Sequence, residues 1–155
     1  MSSLKSILAT YRSQSQTERE KGGYFEELIR TYFRTYFRFA DPYSDVWPFA
    51  DWAKAHGFSA KDTGIDLVAK THGTEEFHAI QCKCYAEDYH VRKADIDSFF
   101  TASGQKPFTL RYIVTTTNDW SDGKLIMAYG TGKTFTSLKI AEEVQICPRD
   151  LAIAA

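Results

Sequence analysis

The chain is poor in cysteine, has no long apolar run and carries almost no net charge. Three cysteines in 155 residues are too few for a disulfide framework. Nothing at the start resembles a secretory signal, and no stretch is apolar enough to cross a bilayer. These absences imply a reducing, cytoplasmic setting and no membrane partner. There is no CxxC pair, so Cys82-x-Cys84 reads as one face of a strand rather than half a zinc site. His56, His72, His78 and His90 lack metal-ligand spacing and read as surface or packing residues. A formal charge of −1 excludes a chain-wide basic footprint for nucleic acid. Repeats and low-complexity segments are missing too. What remains is 43% apolar and 15% aromatic, ample for one globular core.

The chemistry begins at Gln81-Cys82-Lys83, downstream of Gly64-Ile65-Asp66. Alternate residues of a strand share a face. Gln81 and Lys83 therefore point together, while Ile80, Cys82 and Cys84 point the other way. The segments 65–71 and 77–85 read as strands joined by a turn near His72-Gly73-Thr74, hence an antiparallel hairpin. With the Asp66 strand alongside, a carboxylate, an amide oxygen and an ammonium converge. The two oxygens suit Mg²⁺. The lysine suits a water to be oriented, or charge growing on a phosphate.

Other elements follow from periodicity. Phe25, Leu28, Ile29, Tyr32, Phe33, Tyr36 and Phe37 form the apolar stripe of a helix over 23–38. Its polar row of Glu26, Arg30, Arg34 and Arg38, taken with Lys83, Arg92 and Lys93, offers a local basic stripe for phosphate contacts. Residues 46–52 read as a first strand and 112–117 as a later one. A helix over 91–103 would cross between the Gln81 strand and the later one, giving those two parallel order. Before all of these, 4–8 reads as a short helix followed by a polar stretch to Lys21.

Each site residue also has a plainer reading. Asp66 fits a turn acid, Gln81 and Lys83 fit a solvated strand face, and Glu26 with Arg30 fits an i,i+4 surface pair. The combination in one chain favours the functional reading.

A second motif lies further on. Leu125–Tyr129 reads as an apolar strand, Gly130-Thr131-Gly132-Lys133-Thr134 as a glycine loop, and 135–143 as a helix. That context marks a phosphate-binding loop. Backbone N–H groups of Gly130 and Gly132 would cradle phosphates, Lys133 would reach the β- and γ-phosphates, and Thr134 would hold Mg²⁺. Met127 stands where the full pattern begins with glycine.

G-x-x-F-E on a first helix, G-I-D on a strand and Q-x-K on the next resemble the Mrr-like branch of the PD-(D/E)xK endonucleases. The likeness is strongest to the amino-terminal nuclease domain of type I single-polypeptide restriction enzymes, which carry a helicase motor. It covers roughly 4–122, and 123–143 resembles motif I of superfamily 2 helicases. The resemblance implies an α/β, restriction-endonuclease-like core, a central mixed sheet flanked by helices. It implies Asp66 and Gln81 as metal ligands, Gln81 replacing the usual second acid, and Lys83 as the catalytic lysine. Glu26 is the helix-borne acid that completes the set; whether it or Glu27 faces the site is open. The implied cofactor is Mg²⁺ or Mn²⁺, with ATP a second ligand of the loop, and the implied partner is DNA. The expected organisation is a nuclease domain over 1–122, a helicase-type fragment over 123–146 and an unassigned tail over 147–155. No Asp-Glu box, arginine finger or second motor lobe follows. The chain thus reads as a truncated derivative of a longer restriction protein, whose recognition, methyltransferase and motor domains lie elsewhere. A sheet edge left open would favour a homodimer. Two rivals stand beside the nuclease: an inactive remnant, and a nucleotide-binding fragment led by Lys133.

Overall fold

The computed structural model describes residues 4–35, 43–61, 63–86, 88–117, 134–139 and 151–154; for the last two segments it describes the backbone. Helices α1 (Leu4–Gln14) and α2 (Glu18–Thr35) precede strand β1 (Tyr43–Pro48) and helix α3 (Phe49–Ala55). Strands β2 (Leu67–Thr71) and β3 (Phe77–Lys83) follow. A 3₁₀ turn at Lys93–Asp95 and helix α4 (Asp97–Ser103) lead to β4 (Phe108–Thr115), then β5 (Thr134–Lys139) and β6 (Leu151–Ala154). The strands form one six-stranded sheet in sequence order. It is mixed: β1/β2, β2/β3 and β5/β6 are antiparallel, whereas β3/β4 and β4/β5 are parallel. The α/β expectation holds, as do the β2–β3 hairpin and the helical crossover that makes β4 parallel to β3.

Helices cover both faces of the sheet. Phe25, Ile29 and Phe33, four residues apart along α2, are fully buried against Val46, Leu67, Ile80, Cys82 and Val114. On the other face, Phe49 and Trp52 of α3 and Phe99 of α4 pack with Val68, Ala79 and Ile113. The period-2 burial along β3 thus separates Ile80 and Cys82 from Ala79, as alternation requires.

Four boundaries differ from the sequence reading. Helix α2 starts at Glu18, ahead of Gly22-Gly23, because the polar stretch supplies a start signal. Thr17 Oγ1 accepts the Glu20 N–H at 3.1 Å, and the Glu20 carboxylate accepts the Gln16 N–H at 2.7 Å, close to a capping box. Helix α1 runs on to Gln14. Residues 46–52 are not one strand: β1 ends at Pro48, which has no N–H to continue a ladder. The chain then turns into α3, burying Phe49, Trp52 and Ala53 at helical spacing. Finally, Thr134–Lys139 is a strand, not the start of a helix over 135–143. Its threonines and Phe135 favour extended backbone, and pairing with β4 satisfies that strand's outer edge. Leu125–Tyr129, Gly130, Gly132 and Lys133 lie outside the described residues. With Thr134 in a strand, the helix N-terminus that would complete a phosphate cradle does not follow it.

Candidate active site

Asp66 sits just before β2, and two backbone bonds fix it. Its N–H donates to Ile80 O and its carbonyl accepts the Phe49 N–H, each at 2.9 Å. The chain arrives there through Gly64, whose φ of +79° and whose closeness to α4 exclude a side chain. A Cβ on Gly64 would lie 2.7 Å from Ser98 Oγ and 3.1 Å from Phe99 N. The Asp66 carboxylate reaches across to β3, where its Oδ2 accepts the Cys82 N–H at 2.6 Å. It therefore replaces a ladder carbonyl at the end of the β2–β3 hairpin, between Gln81 and Lys83.

On β3, Gln81 and Lys83 lie on the face of Ala79, and the parallel neighbour β4 places Ile113 beside Gln81 and Thr115 beside Lys83. The end of β3 is held by Lys83 O, which accepts the Thr116 N–H at 3.2 Å. Lys83 is half-buried. Gln81 is 1% exposed, and its Oε1 is buried with no hydrogen-bond partner. An unpaired buried acceptor costs free energy, so this atom is the least explained polar group of the sheet.

Glu26 comes from α2, across the opposite face. It is partly buried, whereas Glu27 is exposed and pairs with Arg30 at 3.4 Å. Glu26 is thus the acid that faces the sheet. The Cys82 thiol reports how these charges are disposed. Burial pushes it up most, then the Asp66 and Glu26 carboxylates, while Lys83 pulls it down. All three ionic groups therefore act on one point of β3, although Glu26 approaches from the face away from Gln81.

The basic stripe is not assembled as expected. Arg30 Nε donates to Val46 O at 3.0 Å, and Arg34 lies 3.9 Å from Asp45. Arg92 pairs with Asp95 and Lys93 with Asp97; Arg38 lies outside the described residues. These cations are bound to β1 or to nearby carboxylates. Two others lie closer to the site. Arg12 of α1 donates to Tyr85 O at 3.1 Å, and Lys21 and Arg12 both lower the Cys84 thiol against the upward push of burial. Sequence reasoning missed them because α1 was expected to end near residue 8. The four histidines serve packing or surface. His78 Nδ1 lies 2.6 Å from Tyr43 Oη, and His56 Nδ1 donates to Trp52 O at 2.8 Å.

The donors present fit a hard divalent cation. Asp66 and Gln81 offer oxygen only, the donors Mg²⁺ prefers, Glu26 offers a further carboxylate from the opposite face, and Gln81 Oε1 is a buried acceptor without a partner. Among the described residues no three His, Cys, Asp or Glu side chains cluster as a metal site.

A family of restriction endonucleases, Mrr_cat_2, matches residues 35–144. The chain belongs to this family. The match takes in Asp66, Gln81 and Lys83, and begins after Glu26. Among solved structures, the chain resembles an ATP-dependent Type ISP restriction-modification enzyme, LlaBIII, bound to DNA. The TM-score is 0.58 at 20% identity, over 96% of this chain and 10% of the other. The likeness is one of fold, and the chain spans about a tenth of that protein's length. No curated protein matches the chain. No described helix is long and apolar enough to cross a membrane.

Proposed function

We propose that this restriction endonuclease domain hydrolyses DNA phosphodiester bonds with a divalent metal, Mg²⁺ or Mn²⁺, held by Asp66 and Gln81. The observation that carries this reading is the buried, partnerless Gln81 Oε1 on the residue next to Cys82, whose N–H the Asp66 carboxylate accepts. Glu26 supplies a further carboxylate from α2, through water. The metal, when bound, offsets charge on the scissile phosphate and acidifies a bound water. The chain's own part is positioning. The Asp66–Cys82 bond fixes the carboxylate against β3. The β3–β4 ladder fixes Gln81 and Lys83 on one face. The Lys83 ammonium orients the attacking water and neutralises developing negative charge, as a preorganised cation does. Sequence specificity is left to other parts of a longer protein, in keeping with a net charge of −1.

The test is cleavage of supercoiled plasmid by the purified chain, with Mg²⁺ or Mn²⁺ against EDTA, beside Asp66→Ala and Lys83→Ala. Metal-dependent nicking lost in both variants supports the reading. A folded wild-type protein that never nicks refutes it for this chain and leaves an inactive remnant.

A further inference from the structure

On the sheet face covered by α3 and α4 lies an open cavity of about 570 Å³, well within the size range of small-ligand sites. Thr63 and Ile65 line it, so it borders the segment that delivers Asp66. One wall is aromatic: Phe58 stacks on Trp52 with ring centroids 5.0 Å apart and planes 15° from parallel. Trp52 is 1% exposed, but Phe58 is 47% exposed, so a flat aromatic face is offered to whatever enters. Lys61 and Lys106 also line the cavity and are exposed. Neither forms an ion pair among the described residues.

We propose that this cavity takes one unstacked nucleotide of a DNA strand, its base on Phe58 and its phosphates against Lys61 and Lys106. A large exposed ring beside two exposed lysines is the pairing that single-stranded nucleic acid uses, because every base has a face to stack and every linkage carries a charge. An apolar side chain of a partner protein would use the ring but leave both lysines without counter-charge. The choice of DNA rests on the nuclease reading above.

The experiment is fluorescence anisotropy of a labelled ten-nucleotide single strand and of its blunt duplex, in EDTA so that nothing is cut. The proteins are the wild-type chain, Phe58→Ala and the double variant Lys61→Ala/Lys106→Ala, each checked for folding by circular dichroism. The single strand is expected to bind more tightly than the duplex. Phe58→Ala should weaken it about tenfold, the loss of one stacked base, and the lysine pair should weaken it and flatten its salt dependence. Equal affinity for strand and duplex, or unchanged binding in folded Phe58→Ala, overturns the proposal. Because metal-dependent nicking is scored separately, the two readings can fail independently. Ring-dependent binding without nicking sinks the nuclease and keeps the cavity. Nicking with ring-independent binding does the reverse.

Discussion

Replacing Gln81 by methionine should make the protein more stable and less active at once. The site is 1% exposed, and the amide Oε1 has no hydrogen-bond partner. A buried polar group left unpaired costs about 1–3 kcal/mol. Methionine has a similar length and volume and no such group, so volume is conserved and that cost is removed. In a chain of this size each kcal/mol moves Tm by about 2–4 °C, so a rise of about 2 to 12 °C is expected in EDTA. A thioether is a poor ligand for Mg²⁺, so plasmid nicking should fall at least about a hundredfold, a loss of roughly 3 kcal/mol in transition-state stabilisation. Scanning calorimetry and a nicking time course read the two effects on the same preparations. The reciprocal variant, Gln81→Glu, adds a buried carboxylate near Asp66. It should lower Tm in EDTA, regain it with Mg²⁺, and keep nicking. If Gln81→Met lowers Tm, the amide has a structural partner and the argument for a cation site fails; if it still nicks at the wild-type rate, Gln81 is not a ligand.

Two variants separate the hydrogen bond of Asp66 from its proposed role as a metal ligand. Asp66→Asn keeps an acceptor for the Cys82 N–H and should lose nicking with little loss of stability, whereas Asp66→Ala should also lose about 1.5–3 kcal/mol for the charge-assisted bond; equal denaturation midpoints for the two would contradict this. Burial lowers the His78 pKa from 6.5 to about 4. The unfolded chain therefore binds the extra proton first, and stability should decline as pH falls from about 6.5 to 4, by at most roughly 3 kcal/mol. An imidazole midpoint near 6.5 by NMR would rule that out. Gly64→Ala meets both a positive φ and the α4 backbone and should cost at least about 1 kcal/mol together with activity. Gly22→Ala and Gly23→Ala, with nothing within 4 Å of a Cβ, should each stabilise α2 by roughly 0.5–1 kcal/mol; urea midpoints rank the three.

The hairpin and the trio on it were legible because a strand's period of two is rigid. Once 77–83 is a strand, Gln81 and Lys83 must share a face, and His72-Gly73 makes the turn that returns the chain to Asp66's neighbour. The helix stripe of Phe25, Ile29 and Phe33 was legible for the same reason at period 3.6. What failed were places where two local signals compete. Residues 46–52 are apolar enough for either strand or helix, and Pro48 decides between them by ending the ladder. Gly22-Gly23 reads as a helix start, but Thr17 and Glu20 had already capped one. The segment after Lys133 was read from motif context, yet Thr134–Lys139 pairs along β4 as a strand. The basic stripe failed for a tertiary reason: Arg30 and Arg34 bond to β1, and no periodicity within α2 reveals where β1 will lie.

The same geometry bears on why an amide stands at position 81. Asp66 accepts a backbone N–H of β3, so its carboxylate is fixed whether or not a cation is present. Glu26 and Lys83 act on the same point of β3, one negative and one positive. A second acid at 81, 1% exposed, would add another carboxylate to a low-dielectric sheet that already holds Asp66, and like charges there raise each other's pKa and cost stability. Glutamine avoids that repulsion and, in the proposed site, offers one oxygen to the metal, at the cost of an unpaired acceptor when no metal is bound.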